Sequence, residues 1–401
     1  MDHLNGTLMR YPWGTTDAIP TLLGMPADGG PVAEYWLGAH PLSPSHVGET
    51  SLNKAIAADP GRLGPEAVSA FGPTLPFLMK VLSARHALSL QAHPSRTQAR
   101  EGFEAEEERG ISRTASERTY RDDWPKPEIL IALSEFDTLL GFRDPKVTSR
   151  LFHGLGVGAD VQRLVAPLDA RGGVAALQEV FLDVLSIGDD RRAMVTDVLR
   201  AASQHQDSDG AVGELARTAV EIEADFGADP GVIAAMLMNR VTLGPGEGVY
   251  VPTGVMHAHL RGTGVEVMAS SDNVLRGGLT NKHIAVDELV RVVDFAWITP
   301  FILKGIETVP GLFSYPTECQ EFDVWRLEVD PDGSVDLPAD GSARIALVTE
   351  GQAVFRRGGS HLTCSRGESL FFDAADAGVE VEGDAQVFVS APGQRRPGAP
   401  G

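Results

Sequence analysis

Residues 75–95 read LPFLMKVLSARHALSLQAHPS, two apolar runs that are typical of β-strands and are separated by a short polar segment. The two runs are predicted to pair through the intervening ARHA turn. Along the second run, alternation puts Leu88 and Leu90 on one face of the strand. A buried strand face normally carries aliphatic side chains, so the opposite face requires a special explanation. That face carries a hydroxyl, an amide and an imidazole, from Ser89, Gln91 and His93.

The composition indicates a packed globular protein of two or three domains. The chain has 401 residues, of which 43% are hydrophobic, and a formal net charge of −21. A nucleic-acid-binding protein needs a basic surface to neutralise phosphates, so this charge argues against such a partner. The same charge does not exclude a small phosphorylated substrate, because a few local cations can hold one phosphate.

Cysteine content and the absence of targeting signals predict a cytoplasmic protein without a membrane partner. Cys319 and Cys364 are too few for a disulfide framework or a cysteine-based zinc site. The N-terminal MDHLNGTLMRYPWG has no basic and apolar blocks of a signal peptide. No apolar run approaches the roughly 20 residues of a membrane-spanning helix.

The pattern along the chain changes from strands to helices and back. Before residue 146, KPEILIAL and FDTLLGF are predicted to form a second strand pair, and the charged stretch 95–120 is predicted to be a solvated face. Between 146 and 239, Leu177, Val180 and Val184 follow the spacing of an amphipathic helix. Strand patterns then return and continue to the C-terminal region, with one predicted helix in NKHIAVDELVRVVDF.

Two segments of the chain, LGPGEGVYVPTG (243–254) and CSRGESLFFDAA (364–375), show a weak sequence similarity to each other. Two small β-barrels or sandwiches that each contain this kind of hairpin would explain the similarity, and chance would explain it equally well. No histidine cluster follows the second copy, so a second barrel is predicted to lack a metal.

Side chains suited to a divalent metal occur in three distant stretches of the chain. They are Gln91 and His93 in SLQAHPS, His257 in GVMHAHL, and Glu128 in WPKPEIL, where Lys126 shares its face. Two imidazoles, a carboxylate and an amide oxygen would suit Zn²⁺ or a similar ion. An H-x-H pattern alone is weak, and Gln91 could simply cap a buried backbone group. Spacing alone therefore leaves metal binding and a purely structural role both open.

Several long motifs agree in order with one known family. LPFLMKVLSARHALSLQAHPS, WPKPEILIALSEFDTLLGFR, NRVTLGPGEGVYVPTGVMHAHL and VEVMASSDNVLRGGLTNKHI resemble the conserved blocks of type I mannose-6-phosphate isomerases, and RYPWG and EYWLGAHP fit the family's opening blocks. The resemblance covers roughly residues 10–290. It implies a mainly β fold with an α-helical insertion: two cupin-type jelly-roll β-barrels plus a helical domain. The implied boundaries are a catalytic jelly-roll in 1–145 with 240–300, a helical insertion in 146–239, a metal-free jelly-roll in 301–395 and a flexible tail in 396–401.

The resemblance also implies a reaction and a ligand set. The reaction interconverts mannose 6-phosphate and fructose 6-phosphate through a cis-enediol. It would use one Zn²⁺ per chain, with Mn²⁺ or Co²⁺ as possible substitutes. The implied ligands are Gln91, His93, Glu128 and His257.

The reaction also needs a base and a group that stabilises negative charge on oxygen. Glu266 in GVEVMAS is the candidate base, with Asp272 or a metal-bound water as rivals. The resemblance implies a catalytic role for Arg276, whereas an ion pair with Asp272 four residues earlier would be purely structural.

The sugar phosphate, which is the expected partner, would be held by residues in or near the matching motifs. Ser89 and Lys80 are placed near the phosphate, and Lys126, Lys282, Trp13 and His40 are expected to line the cavity or its mouth. One departure is His259, where the family commonly has tyrosine in His-Ala-Tyr. We expect His259 to contact substrate and not to be a primary metal ligand. A monomer is expected.

Two alternatives to an isomerase are weaker. An Fe(II) cupin dioxygenase would share the metal site, but Gln91 as a ligand and the basic cavity count against it. A non-catalytic sugar-phosphate-binding cupin is disfavoured because Arg276 and Glu266 are both retained.

Overall fold

The structure is a computed structural model that describes residues 1–393, so the predicted tail at 396–401 lies outside the described residues. The N-terminal part is built mainly of short strands, as the sequence predicts. Its elements are β1 (Asp2–Asn5), β2 (Thr7–Met9), α1 (Ala18–Leu22), β3 (Glu34–Gly38), β4 (His46–Val47), β5 (Thr50–Ser51), α2 (Leu52–Ala58), α3 (Pro65–Phe71), β6 (Phe77–Ala84), β7 (Leu90–Ala92), α4 (Arg96–Glu108), β8 (Glu128–Ala132) and β9 (Phe136–Phe142).

Helices follow where the sequence shows helical periodicity, and strands then return. The helices are α5 (Pro145–Leu155), α6 (Ala159–Ala170), α7 (Gly173–Leu185), α8 (Arg192–His205), α9 (Gly210–Phe226) and α10 (Gly231–Met236). The next elements are β10 (Met238–Leu243), β11 (Glu247–Val251), β12 (His257–Ala269), β13 (Leu275–Gly278) and α11 (Val286–Val292), which is the helix predicted in this stretch. No helix in residues 1–393 is long and apolar enough to cross a membrane.

The C-terminal part consists of strands. They are β14 (Leu303–Lys304), β15 (Ile306–Val309), β16 (Leu312–Ser314), β17 (Asp323–Val329), β18 (Ser334–Asp336), β19 (Arg344–Arg357), β20 (Ser360–Ser365), β21 (Ser369–Phe372) and β22 (Glu380–Ala391). The two similar segments, 243–254 and 364–375, form the same local turn. Glu247 accepts a hydrogen bond from the Gly244 N–H at 3.0 Å, and Glu368 accepts one from the Ser365 N–H at 2.7 Å.

The strands form two antiparallel sheets of eleven strands each within residues 1–393. One sheet runs in the order β14-β11-β8-β12-β6-β3-β2, with β7, β9, β10 and β13 attached through the first half of β12 or its neighbours. The other sheet contains the C-terminal strands together with β1, β4 and β5. Over these residues the pairing closes neither sheet into a barrel. A mainly β protein with added helices is therefore confirmed.

Strand β12 determines how the first sheet is connected. Its second half, from Gly262, pairs with β6 and β8, whereas its first half pairs with β7 and β9. Gly262 allows the change because its φ is +120°, and a Cβ there would lie 2.6 Å from the Glu135 carbonyl oxygen. The two predicted hairpins, within 75–95 and within 126–142, are therefore wrong, because the members of each pair lie against β12 instead of each other.

Alternation along these strands places polar side chains between two apolar layers. On β6, Met79 and Val81 pack into a core shared with Ile345 of the second sheet and with Phe322, which directly precedes β17. On β7, the neighbours of Gln91 are Leu90 and Ala92, which pack into the core formed by the helices. The remaining faces of both strands point away from these cores, and they carry the polar residues singled out from the sequence.

Candidate metal centre and active site

Three of the predicted metal ligands converge in one buried cluster. His93 is fully buried, and its Nε2 lies 3.4 Å from Glu128 Oε1. The Nε2 atom of His257 lies 3.2 Å from Glu128 Oε2. One ligand atom from each residue lies within 4.8 Å of the other two. Strands β7, β8 and β12 thus bring together residues that are up to 164 positions apart in the chain.

The two imidazoles are oriented for metal binding through Nε2. Nδ1 of His93 donates to the Asn273 carbonyl oxygen at 2.7 Å, and Nδ1 of His257 donates to the Val255 carbonyl oxygen at 3.2 Å. A hydrogen bond of this kind fixes the tautomer whose Nε2 lone pair is free. His93 Nε2 is a buried polar atom without a hydrogen-bond partner. Such an atom is rare in folded proteins, and a metal ion would satisfy it.

Electrostatics favours a neutral imidazole beside a charged carboxylate. Burial lowers the pKa of His93 to about 4, which leaves its ring neutral at pH 7. Burial alone would raise the pKa of Glu128, but the charge of Lys126 holds it well below its usual range. The Lys126 ammonium lies 3.1 Å from Glu128 Oε1. A neutral nitrogen and an ionised oxygen are the forms in which these side chains bind metal.

The strand register puts Gln91 and Arg276 on the same face as the histidines. Gln91 lies directly opposite His257 on β12 and opposite Arg276 on β13. Directly opposed residues of antiparallel strands project to the same side of the sheet. Ser89, which precedes β7, accepts a hydrogen bond from Gln91 Nε2 at 3.4 Å.

A second buried charged group surrounds Lys80. Its ammonium lies 3.3 Å from Glu34 Oε1 and 3.2 Å from Glu266 Oε2. Burial would lower the pKa of Lys80, but the two carboxylates raise it above its usual value. Burial would likewise raise the pKa of Glu266, but Lys80 lowers it to about 2. Glu266 is therefore held as a carboxylate, although it is only 3% exposed.

His259 belongs to this second group. Its Nε2 lies 3.2 Å from Glu266 Oε1, and its Nδ1 lies 3.1 Å from Thr138 Oγ1. The three converging metal-ligand candidates among the described residues do not include it. The imidazole that replaces the expected tyrosine thus contacts the candidate base.

The other predicted residues lie outside these two buried groups. Asp272 pairs with His40, with 3.3 Å between Oδ1 and Nε2, and its side chain is 35% exposed. Within the described residues Arg276 is half-buried and forms no ion pair with Asp272, so the structural alternative for this arginine is not observed. Lys282 is exposed, and Trp13 is half-buried against the apolar cluster that contains Phe136.

Three residues that support the site were not singled out from the sequence. Glu34 holds Lys80 and accepts a hydrogen bond from Trp36 Nε1 at 2.8 Å. Thr138 orients His259. Asn273 binds His93 through its carbonyl oxygen and the backbone of residues 121–124 through its side chain. All three residues lie inside motifs that carry the family resemblance, and this was the available signal.

The chain matches two family models. Residues 1–145 match the model "Phosphomannose isomerase type I, catalytic domain", and residues 313–392 match "Mannose-6-phosphate isomerase, cupin domain". These two segments lie on either side of the helices and include most strands of both sheets.

Whole-chain comparisons agree with the family models. A mannose-6-phosphate isomerase of Escherichia coli is 33% identical over 400 residues, which cover 96% of this chain and 98% of that protein. Mannose-6-phosphate isomerase 2 of Arabidopsis thaliana is 31% identical, over 89% of this chain and 83% of that protein. A crystal structure of a mannose 6-phosphate isomerase bound with zinc and yttrium superimposes with a TM-score of 0.89 at 30% identity, over 98% of this chain and all of the other. The chain therefore belongs to the type I mannose-6-phosphate isomerase family.

Proposed function

We propose that this protein is a metal-dependent aldose–ketose isomerase that interconverts mannose 6-phosphate and fructose 6-phosphate. The observation that carries the proposal is the buried convergence of His93, Glu128 and His257, in which His93 Nε2 is left without a partner. The Escherichia coli and Arabidopsis thaliana relatives named above are mannose-6-phosphate isomerases, and their similarity extends over 96% and 89% of this chain.

Gln91, His93, Glu128 and His257 are proposed to hold one Zn²⁺, and Mn²⁺ or Co²⁺ are possible substitutes. The orphaned imidazole nitrogen and the ionised carboxylate fit such an ion. Three neutral ligands and one carboxylate would leave a net positive charge at the site. A bound divalent cation acts as a Lewis acid on substrate oxygens.

Glu266 is proposed to move the proton between C2 and C1. An isomerisation through a cis-enediol needs an ionised base inside a site that excludes water, and Lys80 keeps the Glu266 carboxylate ionised although it is almost fully buried. Asp272 is a weaker candidate because its side chain is 35% exposed and is engaged with His40. Lys80 would then act mainly by holding Glu266, since both of its ion-pair partners are carboxylates.

Charge that develops on the enediol oxygens is proposed to be stabilised by Arg276, which faces the same side as Gln91. Arginine stays protonated and presents a planar set of donors suited to two oxygens. Ser89, Lys126 and His259 are proposed to contact the sugar at the bottom of the cavity, and Trp13 and Lys282 are proposed to contact it nearer the mouth.

The finer architecture is part of the same proposal. The two sheets are taken to form cupin-type jelly-rolls, a catalytic one in 1–145 with 240–300 and a metal-free one in 301–395, with a helical insertion in 146–239. The side chains that converge all come from the first of these parts. The protein is proposed to act as a monomer on a small sugar phosphate.

A coupled assay on the purified protein tests the function. Mannose 6-phosphate should be converted to fructose 6-phosphate, the activity should disappear after chelation, and a restored divalent metal should recover it. His93→Ala should lose both metal and turnover. His361→Ala is the matched control, because His361 is exposed on β20. Full activity in metal-stripped protein would refute the proposal.

A further inference from the structure

The two buried lysines of the cavity are already neutralised by carboxylates. Lys80 contacts Glu34 and Glu266, and Lys126 contacts Glu128 at 3.1 Å. A phosphate dianion placed beside either lysine would also lie beside these carboxylates and be repelled. Lys80 lies next to the candidate base, whereas the phosphate of a hexose 6-phosphate is at the opposite end of the carbon chain from C1 and C2. The phosphate therefore needs other cations.

Three cations outside these buried groups form no ion pair among the described residues. Arg276 is half-buried, and Arg121 and Lys282 are exposed. They are close enough to affect one another. Burial and the charge of Arg121 lower the pKa of Arg276, and the charges of Arg276 and Arg121, together with burial, lower the pKa of Lys282. Like charges held together without a counterion destabilise a protein, and a bound anion would relieve this repulsion.

Hydrogen bonds fix the backbone of Arg121 beside the metal-binding strands. The Arg121 N–H donates to Asn273 Oδ1 at 2.8 Å, and Asn273 Nδ2 donates to the carbonyl oxygens of Asp122 at 2.8 Å and Trp124 at 2.9 Å. The carbonyl oxygen of the same Asn273 accepts the hydrogen bond from His93. Arg276 follows three residues later. One asparagine thus ties Arg121 both to a candidate metal ligand and to the strand that carries Arg276.

We propose that Arg121 is a substrate-positioning residue that holds the phosphate of the sugar phosphate together with Lys282, while Arg276 keeps its proposed role at the enediol oxygens. The proposal rests on the proposed function and extends it, since nothing in the family resemblance assigned a role to Arg121. Burial raises the pKa of Asp272, but His40 and, more weakly, the charges of Lys126 and Arg121 lower it. The Asp272 carboxylate lies 3.3 Å from His40 and forms no ion pair with these three cations among the described residues. Arg121 and Lys282 therefore keep their positive charge for the phosphate, while the reacting carbons would lie near Glu266 and Arg276.

Arg121→Met tests the proposal through binding and kinetics. The affinity for inorganic phosphate, measured by calorimetry, should fall about tenfold, as for the loss of one charge-assisted hydrogen bond. KM for mannose 6-phosphate should rise by a similar factor, whereas kcat and bound metal should change little. Arg121→Lys should recover part of the loss. Arg100→Met is the matched control, because Arg100 is an exposed arginine on α4 without an ion-pair partner among the described residues.

The outcomes separate this proposal from the proposed function. Unchanged phosphate affinity and KM in Arg121→Met, in a wild-type protein that isomerises mannose 6-phosphate, would overturn the role of Arg121 alone. A joint fall in kcat and metal content without a change in phosphate affinity would also overturn it, because it would indicate a structural role. Loss of phosphate affinity in a protein without isomerase activity would support the phosphate site and refute the proposed function.

Discussion

Replacing Lys80 by methionine should be one of the most destabilising single substitutions in the cavity. Methionine is similar in length to lysine but has no charge, so Lys80→Met removes the cation from between Glu34 and Glu266 and leaves both carboxylates without it. The lysine side chain is 7% exposed, and those of the glutamates are 8% and 5% exposed. Breaking a buried ion pair by removing one partner costs about 3–5 kcal/mol, because the remaining charge is uncompensated.

The matched control is Lys304→Met. Lys304 lies 3.3 Å from Glu247, a distance similar to those around Lys80, but its side chain is 77% exposed. An exposed pair contributes about 0–1 kcal/mol, so this variant should be almost as stable as the wild type. Urea denaturation followed by circular dichroism measures the free energy of unfolding of both variants. Equal losses of stability would refute the reasoning from burial, and so would a Lys80→Met protein as stable as the wild type.

Two further substitutions test the framework around the site. Asp137 accepts hydrogen bonds from Arg240 at 2.8 Å and from Arg261 at 2.7 Å. Burial raises the pKa of Asp137, but these two arginines and a threonine hydroxyl outweigh burial and lower the pKa below its usual value. The ionised Asp137 carboxylate stabilises the fold above the ordinary aspartate pKa, and this stabilisation is lost as the pH falls through the lowered pKa of the folded state. Asp137→Asn should therefore lower the thermal stability at pH 7 and should make thermal stability fall less steeply on acidification. A variant with the same acid dependence as the wild type would contradict this. Gly262→Ala should lower the free energy of unfolding by about 2 kcal/mol or more, because the φ of Gly262 is +120° and a backbone oxygen lies 2.6 Å from the position of the new Cβ. Gly359→Ala is the control and should have little effect, because no atom lies within 4 Å of its Cβ position. Similar thermal stabilities of the two variants would argue against strain at the bend of β12.

The elements of the fold were predictable from the sequence, but the strand pairing was not. Helical spacing around Leu177 and the alternation in 75–95 reflect local burial, and a single sequence records this directly. Pairing depends on contacts between distant segments. Gly262 lets β12 turn from β9 and β7 towards β6 and β8, and nothing in the local pattern of 75–95 distinguishes this arrangement from a hairpin.

The same distinction applies to the site. Alternation put Gln91 on the polar face of its strand, and Glu266 opposite its valine neighbours, as the structure also has them. Which charges pair across the cavity is a non-local property, so Lys80 could not be connected with both Glu34 and Glu266 in advance. The charged stretch 95–120 was predicted to be a solvated face, but Glu106 and Arg118 within it are buried, and their side chains pair at 2.9 Å.

Diffraction data collected at the zinc absorption edge from crystals of the zinc-loaded protein would test the central claim most directly. The account predicts one anomalous peak per chain, about 2.0–2.1 Å from Nε2 of His93 and of His257, with Glu128 and Gln91 oxygens completing the protein ligands. The absence of an ion between these side chains would contradict the account, and so would an ion bound by His259 in place of Gln91.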